Sequence, residues 1–143
     1  MIDLDDLAPS VVSTEEVNAF LAEHMPSAPV AEVLKANFAR CRWDYHEGGT
    51  RPGGYISGPT IMNAIDCAVW LAVFTRAGIT PMAVTWELKV NFLRPALGGD
   101  LIADATLHKF GPLSYASVDV YVDGTPSRLV AHGTATYSVP MDR

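Results

Sequence analysis

Ser57-Gly58-Pro59-Thr60-Ile61-Met62-Asn63-Ala64-Ile65-Asp66-Cys67-Ala68-Val69-Trp70-Leu71-Ala72-Val73-Phe74-Thr75-Arg76-Ala77-Gly78 is the stretch on which the fold turns. Ser57 or Gly58 can cap a helix, Pro59 suits its first turn, and Gly78 suits its C-terminal end. Between them the apolar residues Ile61, Met62, Ala64, Ile65, Cys67, Ala68, Val69 and Trp70 to Phe74 cover nearly every face. The pattern predicts a helix wrapped by protein rather than one lying on a surface. Asn63 and Asp66 interrupt it, and with Thr60, Cys67 and Trp70 they share one face at helical spacing.

Downstream, Val84, Trp86, Leu88, Val90 and Phe92 alternate with Thr85, Glu87, Lys89 and Asn91, a period of two that predicts a strand. Leu101, Ala103, Ala105 and Leu107 repeat the pattern after Gly98-Gly99-Asp100. Ala116, Val118, Val120 and Val122 do so again before an Asp123-Gly124 turn. The last run, Leu129 to Tyr137, puts Ala131, Gly133 and Ala135 on one face, small enough for a helix to come close. Four strands after a buried helix predict an α+β domain: a curved antiparallel sheet around a long central helix.

Upstream, Ser13-Thr14-Glu15-Glu16 predicts the start of a helical extension over about 13–25, with Val17, Phe20 and Leu21 along one face and Pro26 beyond its end. Residues 32–46 read as a first strand. Residues 47–58 are glycine-rich, and composition favours a flexible loop over one that cradles a ligand.

The chain of 143 residues suffices for a single domain over 1–143. Apolar residues make up 49% and charged ones 18%, which excludes a disordered chain. A net charge of -6 argues against nucleic-acid and anionic-membrane partners. The apolar run 61–74 is too short to span a bilayer, and the acidic start lacks the pattern of a signal peptide. Cys41 and Cys67 read as reduced thiols, so a cytoplasmic location is expected. His24, His46, His108 and His132 show no metal-ligand spacing. No phosphate-binding loop or nucleophile elbow occurs, so neither metal nor cofactor is expected.

Asp66 is the residue that needs explaining, because a carboxylate in a water-poor helix must be hydrogen-bonded, paired or used. It is either a structural aspartate, facing a subunit boundary or accepting ordinary hydrogen bonds, or a reacting group. Gly58 stands at the helix entrance, where unpaired N–H groups and the positive dipole end can stabilise an oxyanion. Eight positions separate the two, about 12 Å of axis at the helical rise. They can serve one small reacting centre only if Asp66 of one subunit faces Gly58 of another.

Residues 57–68 resemble the segment that opens the long helix in hot-dog thioesterases of the phenylacetate-pathway (PaaI-like) type. Val84 to Ala96 with Gly98-Gly99-Asp100-Leu101, and Leu129 to Tyr137, are similar to that family's later segments, in its order and spacing. The resemblance implies a hot-dog fold and an acyl-CoA thioesterase active as a homodimer or dimer of dimers. It implies that the Gly58 N–H polarises the thioester carbonyl, that Asp66 attacks it or activates water, and that Thr85 helps orient water. Ser57 stands where the family usually has His, Pro59 where it has a second Gly, and Arg51 near its upstream Asn or Gln. Ser57, Asn63, Trp70, Arg51 and Arg94 are the expected substrate-binding residues, with Arg94 a candidate for coenzyme A phosphates and Lys109 and Arg128 solvated. Three alternatives are a non-catalytic hot-dog that binds acyl-CoA or another apolar ligand, a hot-dog hydratase or dehydratase, and a cone-shaped α+β ligand-binding fold, against which the strand expected before the long helix argues. The second would need a histidine soon after Asp66, and none follows.

Overall fold

A computed structural model describes residues 2–141. The sheet has six antiparallel strands: β1 (Val30–Lys35), β2 (Phe38–Trp43), β3 (Val84–Phe92), β4 (Leu101–Lys109), β5 (Leu113–Val122) and β6 (Ala131–Ser138), ordered β1-β2-β4-β5-β6-β3. Helix α1 spans Thr14–His24 and α2 spans Gly58–Ala77. The sheet curls around α2, whose Ile65, Leu71 and Phe74 are fully buried. Each such side chain stabilises the fold by roughly 1.5–3 kcal/mol.

The inner face follows the alternation read from the sequence. Leu101, Ala103, Ala105, Ala116, Val118, Val120, Ala131 and Ala135 are all buried. Gly133 permits close approach of α2. A Cβ there would sit 3.0 Å from the Lys89 carbonyl oxygen and 3.1 Å from Ile65 Cγ2.

Helix α1 begins where expected, with Ser13 Oγ accepting from the Glu16 N–H and Glu16 accepting from the Ser13 N–H, both at 3.1 Å. This reciprocal cap satisfies two donors that a helix start leaves free. Val17 and Leu21 anchor the helix in the core. Helix α2 is 20 residues long, longer than the apolar run suggested and by length and composition enough to cross a bilayer. Most of it is enclosed by this protein's own sheet.

Two sequence expectations need correction. The single strand expected over 32–46 is a hairpin, β1 and β2 joined by a two-residue turn at Ala36-Asn37. Asn37 takes the left-handed conformation, φ 66. Asparagine tolerates this, but without an adjacent glycine the turn signal was a single residue. The flexible glycine-rich loop is also incorrect. The Ser57 N–H and Thr60 Oγ1 both donate to the Gly49 carbonyl, Tyr45 OH donates to the Gly54 carbonyl, and the Ile56 N–H donates to the Ala96 carbonyl. Gly49 does permit a close approach, but to the protein's own Trp43 ring, which lies 2.1 Å from where a Cβ would be.

Strand β3 departs from its sequence pattern in one place. Thr85 pairs with Tyr137 and Glu87 with Thr136, which leaves Trp86 as an extra residue in a β-bulge. The bulge shifts the alternation, so Thr85 rather than Val84 faces α2 with Leu88 and Val90. Val84, Trp86 and Phe92 are 50%, 66% and 54% exposed on the lone protomer.

Candidate active site

Asp66 is half-buried on α2, under the start of β3 and the end of β6. Its Oδ1 accepts from Thr85 Oγ1 at 2.7 Å and from Tyr137 OH at 2.5 Å. Tyr137 OH also lies 2.9 Å from the Asp66 main-chain oxygen. Burial, and after it the nearby Asp66 charge, pushes the Tyr137 phenol well above its ordinary range. It therefore stays neutral and donates.

Around this carboxylate lies a pocket of about 380 Å³, lined among others by Asn63, Cys67, Trp70, Val84 and Thr85. Met25 and Ala28, beyond the end of α1, close one side. Phe20 of α1 packs edge-on against Trp70 with ring centres 6.0 Å apart, so the N-terminal extension braces the pocket wall. The Trp70 Nε1–H is buried and finds no acceptor among the described residues.

Gly58 lies in a different pocket, of about 660 Å³, with Arg51, Tyr55, Phe92, Leu93 and Arg94 among its lining. It is the first residue of α2, and its N–H finds no acceptor among the described residues. A Cβ at Gly58 would meet Phe92 at 3.5 Å, an ordinary contact, so packing alone does not demand glycine here. Arg94 donates to the Leu129 carbonyl at 2.8 Å, which fixes its guanidinium at the pocket rim. It also borders a second cleft with Arg128, so the two cations share a rim.

The expected site residues thus fall into two groups with no shared lining residue. Asp66, Thr85, Asn63 and Trp70 belong to one, and Gly58, Arg51 and Arg94 to the other. Ser57 serves the helix start, its Oγ accepting from the Thr60 N–H at 3.3 Å and lying 2.8 Å from Thr60 Oγ1. Tyr137 was missed. The signal was present: it continues the inward series Ala131, Gly133, Ala135, and a buried phenol needs a partner. Cys41 and Cys67 are free and buried. The neighbouring Cys67 and, after it, burial push the Cys41 thiol up.

Comparison with known proteins agrees with this architecture. The family model described as "Thioesterase superfamily" matches residues 53–123, from the glycine-rich loop through α2 to the end of β5. An inferred esterase of Saccharolobus solfataricus is 30% identical over 133 residues, 90% of this chain and 87% of that protein. The crystal structure of an inferred thioesterase from a Silicibacter species superposes with a TM-score of 0.83 at 28% identity, over 95% of this chain and 97% of that one. The phenylacetic acid degradation protein PaaI of Thermus thermophilus, solved as a point mutant, superposes at 0.69 and 21% identity, over 85% and 99% of the two chains. At that identity the likeness is one of fold. The buried helix, the sheet curled around it and the run of matched residues lead to one assignment: this chain belongs to the thioesterase superfamily and has its hot-dog fold.

Proposed function

We propose that the protein is an acyl-CoA thioesterase whose site is shared between two protomers, with Asp66 from one and the Gly58 N–H from its partner. The observation that carries this reading is the separation of the two groups into different pockets at opposite ends of β3. Thr85, at one end of that strand, bonds Asp66, while Phe92, at the other, packs beside Gly58.

The sheet edges support a dimer through β3. The β1 edge is already covered: Asn18 bonds both the N–H and the carbonyl of Ala31, the Ala36 N–H donates to the Ala8 carbonyl, and Pro9 bridges Lys35. Strand β3 is open and carries exposed apolar side chains. An unprotected edge of this kind invites pairing. A second copy pairing antiparallel about a two-fold axis near Leu88 sets Thr85 of one protomer opposite Asn91 or Phe92 of the other. The Asp66 pocket then meets the partner's Gly58 pocket.

In that composite site the Gly58 N–H donates to the thioester carbonyl oxygen, and the helix dipole adds to the stabilisation as charge develops there. Asp66 drives addition of an oxygen nucleophile to the carbonyl carbon, either its own carboxylate oxygen or a water that gives it a proton. Collapse of the adduct breaks the C–S bond and releases coenzyme A as a thiolate, which takes back the proton held by Asp66 in the water route and takes one from solvent when the carboxylate is the nucleophile. With the carboxylate as nucleophile, water then cleaves the resulting anhydride. Arg51 and Arg94 provide positive charge at the Gly58 rim for the phosphates of coenzyme A. The apolar pocket of Trp70, Met25 and Val84 takes the acyl group.

Thiol release from a panel of acyl-CoAs tests it. The wild type turns over at least one member, and Asp66→Ala loses at least about a hundredfold in kcat. Equal rates for the two proteins would remove Asp66 from the chemistry.

A further inference from the structure

We propose that Tyr137 is a positioning residue for Asp66, and that with Thr85 it holds one carboxylate oxygen so that Oδ2 alone is left for the reaction. The two hydroxyls come from adjacent strands at one register position, since Thr85 and Tyr137 are cross-strand partners. Both reach Oδ1, at 2.7 and 2.5 Å, while no donor among the described residues reaches Oδ2. A purely structural aspartate in an apolar surrounding satisfies both oxygens, because an unpaired anionic oxygen is costly. Here the donors crowd onto one oxygen of a carboxylate that lines a pocket.

The arrangement is rigid. Tyr137 is only 3% exposed, and its hydroxyl also touches the Asp66 main-chain oxygen, which ties side chain and backbone of the same residue together. Its single proton goes to the charged acceptor in preference to the neutral one. The phenol therefore fixes the carboxylate about its last torsion without taking a proton itself. The bulge at Trp86 is what brings Thr85 to the matching position.

The activity arm of the test rests on the thioesterase reading. Tyr137→Phe keeps the ring and removes the hydroxyl. It is expected to lower kcat about ten- to a hundredfold, the worth of a hydrogen bond to a charged group, with KM within about twofold. Thr85→Ser should retain most activity, while Thr85→Ala falls like Tyr137→Phe.

An unchanged kcat in folded Tyr137→Phe overturns the proposal. A second measurement is independent of turnover. Low-temperature proton NMR of the wild type should show a Tyr137 hydroxyl proton protected from exchange and lost in Asp66→Ala. Absence of that proton overturns the proposal even if the protein hydrolyses nothing, whereas failure of the wild type to hydrolyse any thioester withdraws the thioesterase reading alone.

Discussion

At the residue scale, the features that matter most are small groups placed where larger ones would not fit, and one bulge. Gly133 lets α2 approach β6, and the added methyl of Gly133→Ala would press on both the Lys89 carbonyl and Ile65. Overpacking of this kind is expected to cost about 1–3 kcal/mol, measured by urea unfolding. That glycine was legible in the sequence as part of a small-residue stripe on one strand face. Asp66 and Gly58 were legible too, one as a charge inside an apolar helix and one as a residue at its entrance. Thr85 could be placed through the family resemblance alone. Its contact with Asp66 depends on the Trp86 bulge, and a bulge shifts side-chain phase without leaving a mark in a period-two pattern.

At the element scale, the contrast between the two sheet edges carries the functional argument. Strand β1 is covered by Asn18 and by residues 8–9, whereas β3 presents Val84, Trp86 and Phe92 to solvent. A charge at the open edge should oppose pairing while leaving the protomer folded, because Trp86 packs little in the lone chain. Trp86→Glu is therefore expected to sediment as a smaller species with near-native circular dichroism and to lose activity together with assembly. Unchanged sedimentation would place the interface elsewhere. Sequence periodicity located β3 but could not tell an edge strand from a central one, since both alternate. Strand order depends on long-range pairing, which local patterns do not encode. The β1–β2 turn escaped for a related reason, a lone Asn37 being a weak punctuation mark.

At the scale of the whole molecule, the strand network reaches the site through a loop. Asp100 accepts from the Tyr45 N–H at 2.8 Å and from Arg42 at 2.9 Å, and Tyr45 OH in turn holds the Gly54 carbonyl in the segment leading to Gly58. The Tyr45 N–H, and after it Arg42, hold the Asp100 carboxyl below its ordinary value of 3.8. A group whose folded value is depressed contributes stability above its unfolded value. That contribution is lost as pH falls through the folded value. Asp100→Asn should thus be less stable at neutral pH and lose less stability between about pH 5 and pH 2 than the wild type, as followed by urea unfolding across that range. Equal acid slopes for the two proteins would show that Asp100 does not carry this linkage.

Complementation between two inactive variants tests the shared site most directly. Asp66→Ala removes the carboxylate. Gly58→Pro removes the N–H at a first helical position that tolerates proline, after an extended Ser57. Each homodimer should be inactive. If Asp66 of one protomer works with Gly58 of its partner, co-refolded mixtures contain heterodimers with one intact site, and activity returns to about a quarter of wild type. If both groups act within one chain, no mixed dimer holds an intact site, and a mixture as inactive as its components would contradict the account.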